Sequence, residues 1–132
     1  MRITFLQSSL WLSGGALVVV EYANRLAARG HSLAIVIPAG AHAPEVTGHL
    51  DPRVRLIEAS VPLIHTKIGL LHKLRLTLAM AFAIPKSDVI IATHTPTTLV
   101  SLLSASLLRR GLPVWFYMDY PGMFANRPQE AW

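Results

Sequence analysis

The chain has 132 residues, 52% of them hydrophobic and 14% charged, enough apolar material for the core of one ordinary domain and too much for a disordered chain. There is no cysteine, which excludes a disulfide framework and thiolate metal sites. Lys and Arg number 12 against 7 Asp and Glu, a formal net charge of +5, which turns attention to anionic partners.

The first element is a short apolar strand, Arg2–Leu6, followed by a loop over 7–15. A helix follows: Ala16, Val19, Val20, Ala23, Leu26 and Ala27 recur at three- and four-residue steps, while Glu21, Asn24, Arg25 and Arg29 fall off that stripe. Ser13 or Gly14 suits its start, and Gly30 suits the left-handed residue that ends it. A second strand is expected over 33–37, a loop over 38–44, a turn at Asp51-Pro52 and a third strand over 54–57. A helix over 67–84, a strand over 88–92, a helix over 97–110 and a strand over 114–118 complete the alternation. Strands that read as continuous Val, Ile and Leu runs are buried on both faces. The expected fold is therefore α/β, a Rossmann-like three-layer α/β/α domain with a mostly parallel sheet of about five or more strands and right-handed crossovers.

Several classes drop out on spacing. A dinucleotide fingerprint needs its first glycine tight against the first strand, whereas Gly14 comes eight residues after Leu6. Neither Lys nor Ser/Thr follows Gly15, so the phosphate loop of the P-loop ATPases is absent. His31, His42, His49, His65 and His72 lack metal-ligand spacing, and no metal is expected. The basic residues do not interleave with aromatics on strands, so nucleic acid is not an expected partner. No apolar run reaches 18 residues, the nearest being 76–85, and Arg2-Ile-Thr-Phe-Leu6 is no secretory signal. The expected location is cytoplasmic.

Three features carry candidate function. Gly14 and Gly15 open a helix whose first N–H groups point outward with a partial positive charge, so they can admit a phosphate or diphosphate close to the backbone; a plain tight turn accounts for them equally well. His94, in Thr93-His-Thr-Pro96 past the fourth strand, faces the crevice at the carboxyl ends of the strands, or only supports a helix that Thr95 caps. Between Ala59 and Ser87 no acidic residue occurs, while Lys67, Lys73, Arg75 and Lys86 do. This basic, leucine-rich helix can rest on an anionic membrane surface, and its plain alternative is a helix packed on the sheet with its cations in water.

The opening strand with the Gly14-Gly15 loop, the helix closing in Leu26-Ala-Ala-Arg-Gly-His31, the strand Leu33-Ala-Ile-Val-Ile37 and the segment Ser87-Asp-Val-Ile-Ile-Ala-Thr-His94 together resemble the N-terminal domain of GT-B-fold glycosyltransferases, especially the retaining group called family four. The resemblance runs from Met1 to about Phe124. It implies a domain over 1–124 that binds the acceptor of a sugar transferred from a nucleotide-sugar, a glycan, lipid-linked or other cell-envelope acceptor, with no further cofactor. It also implies a second, donor-binding domain carrying a pair of carboxylates eight residues apart. That domain is missing here, and 125–132 read as a truncated linker, so the isolated chain is expected to be inactive and, with apolar surface uncovered, prone to self-association. Many relatives carry a His-Asp pair past the fifth strand. Here Tyr117-Met118-Asp119-Tyr120 keeps Asp119 and replaces the histidine by Met118. Asp119 and His94 are accordingly the expected catalytic residues, Gly14 and Gly15 the donor-phosphate contacts, Ser13 and Tyr120 the acceptor contacts, and Lys67, Lys73 and Arg75 the membrane contacts, which would make the protein peripheral on the cytoplasmic face. The alternative is a non-catalytic α/β module that binds a nucleotide or a partner in the same crevice.

Overall fold

The structure is a computed structural model, and it describes residues 1–63 and 69–118. Five strands form one sheet: β1 (Arg2–Leu6), β2 (Ser32–Ala39), β3 (Val54–Pro62), β4 (Val89–Ala92) and β5 (Leu112–Trp115). Four helices connect them: α1 (Gly14–Ala28), α2 (Pro44–Thr47), α3 (Leu70–Ala83) and α4 (Thr95–Ser106). The strand order is β3-β2-β1-β4-β5 and every pairing is parallel. The Rossmann-like reading of the sequence is thus the observed fold, with α1 and α2 packed on one face of the sheet and α3 and α4 on the other.

The core explains why the central strands are uniformly apolar. In β1 and β2, alternate residues serve opposite layers: Ile3, Phe5, Leu33, Ile35 and Ile37 pack with α1, while Leu6 and Val36 pack with α3 and α4. The α1 stripe is buried as its periodicity predicts, at Ala16, Val19, Val20, Ala23 and Ala27. Gly30, at φ 84°, takes the left-handed turn expected after this helix.

Several boundaries differ from the sequence reading. Residues 44–47 form a short helix led by Pro44, a residue pre-set for the first helical position. β3 runs on to Pro62, five residues beyond the expected end, because it continues to pair along β2 past an irregularity between Ile37 and Ala39. β5 starts two residues early, at Leu112. The preceding turn closes tightly on β4: Ser87 N–H donates to Arg110 O at 2.7 Å, Leu112 N–H donates to Asp88 O at 3.0 Å, and a Cβ on Gly111 would stand 2.7 Å from Ser87 O. α4 starts at Thr95 and ends at Ser106, not at 97 and 110. The continuous apolar run of β5 is exposed at Leu112, Val114 and Trp115, since β5 is an edge strand and the described residues leave it largely uncovered.

Candidate functional site

The chain runs outward from β1 to β2 to β3 on one side of the sheet, then returns to place β4 on the other side of β1. Between β1 and β4 the connections leave in opposite directions, and in open parallel sheets that opens a crevice at the carboxyl ends of the strands. Three segments converge there: the loop from Gln7 into α1, the turn Thr93-His94 into α4, and the end of β5.

Gln7 and Thr93 tie the β1 and β4 ends together. The buried Thr93 hydroxyl lies 2.7 Å from Leu6 O, contacts Gln7 Oε1 and stands 2.9 Å from His94 Nδ1. One hydroxyl proton cannot serve two carbonyl oxygens, so with the proton on Leu6 O the Gln7 carboxamide turns its NH2 toward Thr93. The His94 ring is thereby oriented by the strand end through Nδ1. His94, not Thr95, is the cap residue of α4. Thr97, fully buried, supports it from inside the helix, its Oγ1 accepting from His94 N–H at 3.0 Å and from Thr93 N–H at 3.1 Å.

On the β1 side, Ser13 caps α1, its Oγ accepting from Ala16 N–H at 3.2 Å, and its carbonyl accepts from Leu17 N–H. The N–H groups of Gly14 and Gly15 belong to the first helical turn, which has no intrahelical acceptors. Among the described residues, a Cβ built on Gly14 would meet nothing within 4 Å, and one on Gly15 only Met118 Cε at 3.9 Å. Neither glycine has a positive φ, so the backbone does not require glycine at either position. The Met118 contact also brings the end of β5 beside the glycine loop.

A second support was not legible in the sequence. Leu10, fully buried, pairs with the loop after β2: its N–H donates to Ala41 O at 2.7 Å and its carbonyl accepts from Ala43 N–H at 3.1 Å. That loop is in turn held by Glu58 of β3, whose Oε2 accepts from Gly40 N–H at 2.6 Å and whose Oε1 lies 3.2 Å from His42 Nε2. The Gly40 N–H, and after it His42, hold the Glu58 carboxyl below its ordinary range. The lone acid in Val54-Arg-Leu-Ile-Glu58, at the crevice end of a strand, was the available signal.

Asp119, Tyr120 and Lys67 lie outside the described residues. Lys73 and Arg75 lie on α3, away from the glycine loop, Lys73 half-buried and Arg75 exposed.

Comparison with known proteins adds the lineage. The model of Glycosyltransferase Family 4 matches residues 12–124. The chain belongs to that family. No curated protein matches the chain. Nine chains of solved structures do, among them CalG4, the calicheamicin glycosyltransferase, at 14% identity, 98% coverage of this chain and a TM-score of 0.59. This family 4 chain spans 36% of the length of that one. The family match and the fold of the structural match support the N-terminal domain of a GT-B glycosyltransferase.

Proposed function

We propose that the chain is the acceptor-side half of a glycosyltransferase that moves a sugar, with retention at the anomeric carbon, from a nucleotide-sugar to a glycan, lipid-linked or other cell-envelope acceptor. The observation that carries this reading is the vacant space over Gly14 and Gly15. Glycine lowers helix stability relative to alanine, and among the described residues neither backbone strain nor a neighbouring atom calls for it here. A ligand that must approach the N–H groups of α1 does. A diphosphate suits them, since those groups and the helix dipole favour negative charge.

The other residues take roles consistent with their chemistry. The Ser13 hydroxyl donates to the acceptor while its oxygen caps the helix. His94, oriented by Thr93, lines the acceptor side as a proton acceptor. Asp119 and Tyr120, which follow β5 in sequence, contact sugar hydroxyls, the carboxylate accepting and the phenol donating. The rest of the crevice, with the donor base and sugar, belongs to the second half of a GT-B enzyme.

The test is transfer from a panel of nucleotide-sugars by the protein at its natural length, with Gly15→Val and Asp119→Asn beside the wild type. Loss of transfer in Gly15→Val with an unchanged melting temperature supports the reading. Unchanged turnover removes the glycine loop from the mechanism, and wild-type rates in Asp119→Asn remove Asp119. Nucleotide binding without transfer by any partner sugar would favour the non-catalytic module.

A further inference from the structure

We propose that the amino-terminal edge of the sheet is a docking surface for an acidic, extended segment of a partner protein. Because every pairing is parallel, all five strands begin at one edge, opposite the crevice, and basic residues collect there. Arg2 opens β1, Arg29 ends the cap of α1 just ahead of β2, and Arg53 and Arg55 flank the first residue of β3. Lys86 precedes β4, and Arg109 and Arg110 precede β5. Against these seven cations stand two acids in the same segments, Asp51 and Asp88. The surplus of five equals the formal net charge of the whole chain, so the imbalance read from composition is concentrated at this edge.

Pairing within the edge shows the chemistry it recognises. Arg53 holds Asp51 with a two-pronged contact, Nε to Oδ1 at 2.9 Å and Nη2 to Oδ2 at 2.8 Å. Asp88 accepts from Arg2 Nη2 at 2.9 Å and from Arg2 N–H at 2.7 Å. The side-chain hydrogen bonds of Arg53 lower the Asp51 carboxyl to about 2, and those of Arg2 lower Asp88 likewise. Both acids are satisfied in this way by guanidinium forks that suit a planar carboxylate. Arg110 is also engaged, on Phe82 O and Ile84 O. Arg29, Arg55, Lys86 and Arg109 are exposed and, among the described residues, pair with no acid. The strand order sets their arrangement: Arg55 stands at the β3 end, Arg109 at the β5 end, and Arg29 and Lys86 between. Four intervals between neighbouring strands at ~4.8 Å make a row about 19 Å long, which an extended peptide covers in about six residues at ~3.3 Å each. A single-stranded nucleic acid is a poorer occupant, because the segments leading into the strands carry no Phe, Tyr or Trp on which bases would stack. The crevice lies at the other ends of the strands, so a partner held here leaves it open. The surface stands independently of the transferase reading, because its evidence is topology, exposure and charge.

Fluorescence anisotropy of a labelled octaglutamate peptide, titrated with the protein at its natural length, tests this. The expected result is binding that weakens steadily as added salt shortens the screening length, with triglutamate, too short to span the row, roughly ten-fold weaker. Exchanging Arg29→Gln, Arg55→Gln and Lys86→Gln together is expected to weaken octaglutamate binding by about thirty-fold, about three-fold per exposed cation, with a thermal melt matching the wild type. Lys86→Gln alone, at an exposed position between α3 and β4, is expected to lose about three-fold. Lys73→Gln with Arg75→Gln removes two cations from α3 and is expected to leave binding unchanged. Absence of wild-type binding overturns the proposal, as does equal affinity for the two peptides. An equal loss per charge in the Lys73/Arg75 variant overturns it by reducing the effect to net charge. Tighter binding to a single-stranded oligonucleotide of the same charge, or to phosphatidylglycerol vesicles, that the triple variant abolishes overturns it in favour of a phosphate-bearing partner. None of these outcomes bears on whether sugar transfer occurs, so the two claims fail separately.

Discussion

Replacing Gly15 by alanine separates two reasons for a glycine at a helix start. A backbone reason is absent, since φ is not positive and, among the described residues, the added Cβ meets only the far end of Met118 at 3.9 Å. Gly15→Ala is therefore expected to raise stability, by about 0.5 kcal/mol through the smaller entropy of the unfolded chain, while lowering transfer. Denaturant melts and nucleotide-sugar turnover measured on the same preparation check both signs. Glu58 offers a pH-dependent counterpart. Its carboxyl is held below the ordinary value of 4.5, first by Gly40 N–H and then by His42. A lowered folded value means the stability it contributes is complete above the ordinary range and is lost as pH falls through the depressed one. Glu58→Gln keeps an acceptor for Gly40 and removes the titration, so its melting temperature should fall less steeply below pH 4.5 than that of the wild type; parallel curves would show that Glu58 does not anchor the loop. Residues of this kind were only half legible in the sequence. Gly14, Gly15 and His94 were visible as types that admit anions or titrate, and they lie on loops at the strand ends. Gln7, Thr93 and Glu58 were not singled out, because their contribution is a hydrogen bond to a segment distant in sequence, as between Thr93 and Leu6.

The turn into α4 shows how an element boundary depends on one side chain. The Thr97 hydroxyl accepts from the N–H groups of both Thr93 and His94 and donates to His94 O at 2.7 Å. Thr97→Val keeps the shape and leaves two N–H groups without their acceptor, one of them in the buried Thr93. A loss of about 2 kcal/mol is expected, with Thr97→Ser recovering most of it; chemical denaturation of the three proteins is the measurement. The sequence placed the start of α4 two residues late because Pro96 reads as a boundary, whereas proline is also at home in a first turn. α1 was legible almost to the residue, since its apolar stripe, its Ser13 cap and Gly30 agree with one another. β5 was not. Its apolar run reads equally well at 112–115 and 114–118, and the register is set by pairing with β4, where Leu112 N–H donates to Asp88 O and Phe116 N–H to Ala92 O.

At the scale of the molecule, the sheet is closed around β1 and β2 and open at β5. The central pair is buried on both faces, and Leu76, fully buried on α3, packs in the second core beside Leu6 and Val36. Leu76→Ala is expected to cost about 3 kcal/mol, enough to unfold a marginal domain, and a calorimetric melt would register it. The open edge bears on how much chemistry this half can do alone. In a GT-B enzyme the strand-end crevice is one wall of a cleft, and this chain spans 36% of the length of the solved glycosyltransferase it matches. In the proposed reading, Gly14, Gly15, His94 and Asp119 would supply an anion contact, an imidazole and a carboxylate, and the other half of the cleft would enclose the sugar being transferred in the low-dielectric surroundings that make such contacts effective. Under the proposed reading, residues 1–132 by themselves are expected to bind nucleoside diphosphates weakly and to show no transfer. Calorimetry with nucleoside diphosphates and a turnover assay decide it. Transfer by residues 1–132 alone would mean that the crevice between β1 and β4 is a complete active site.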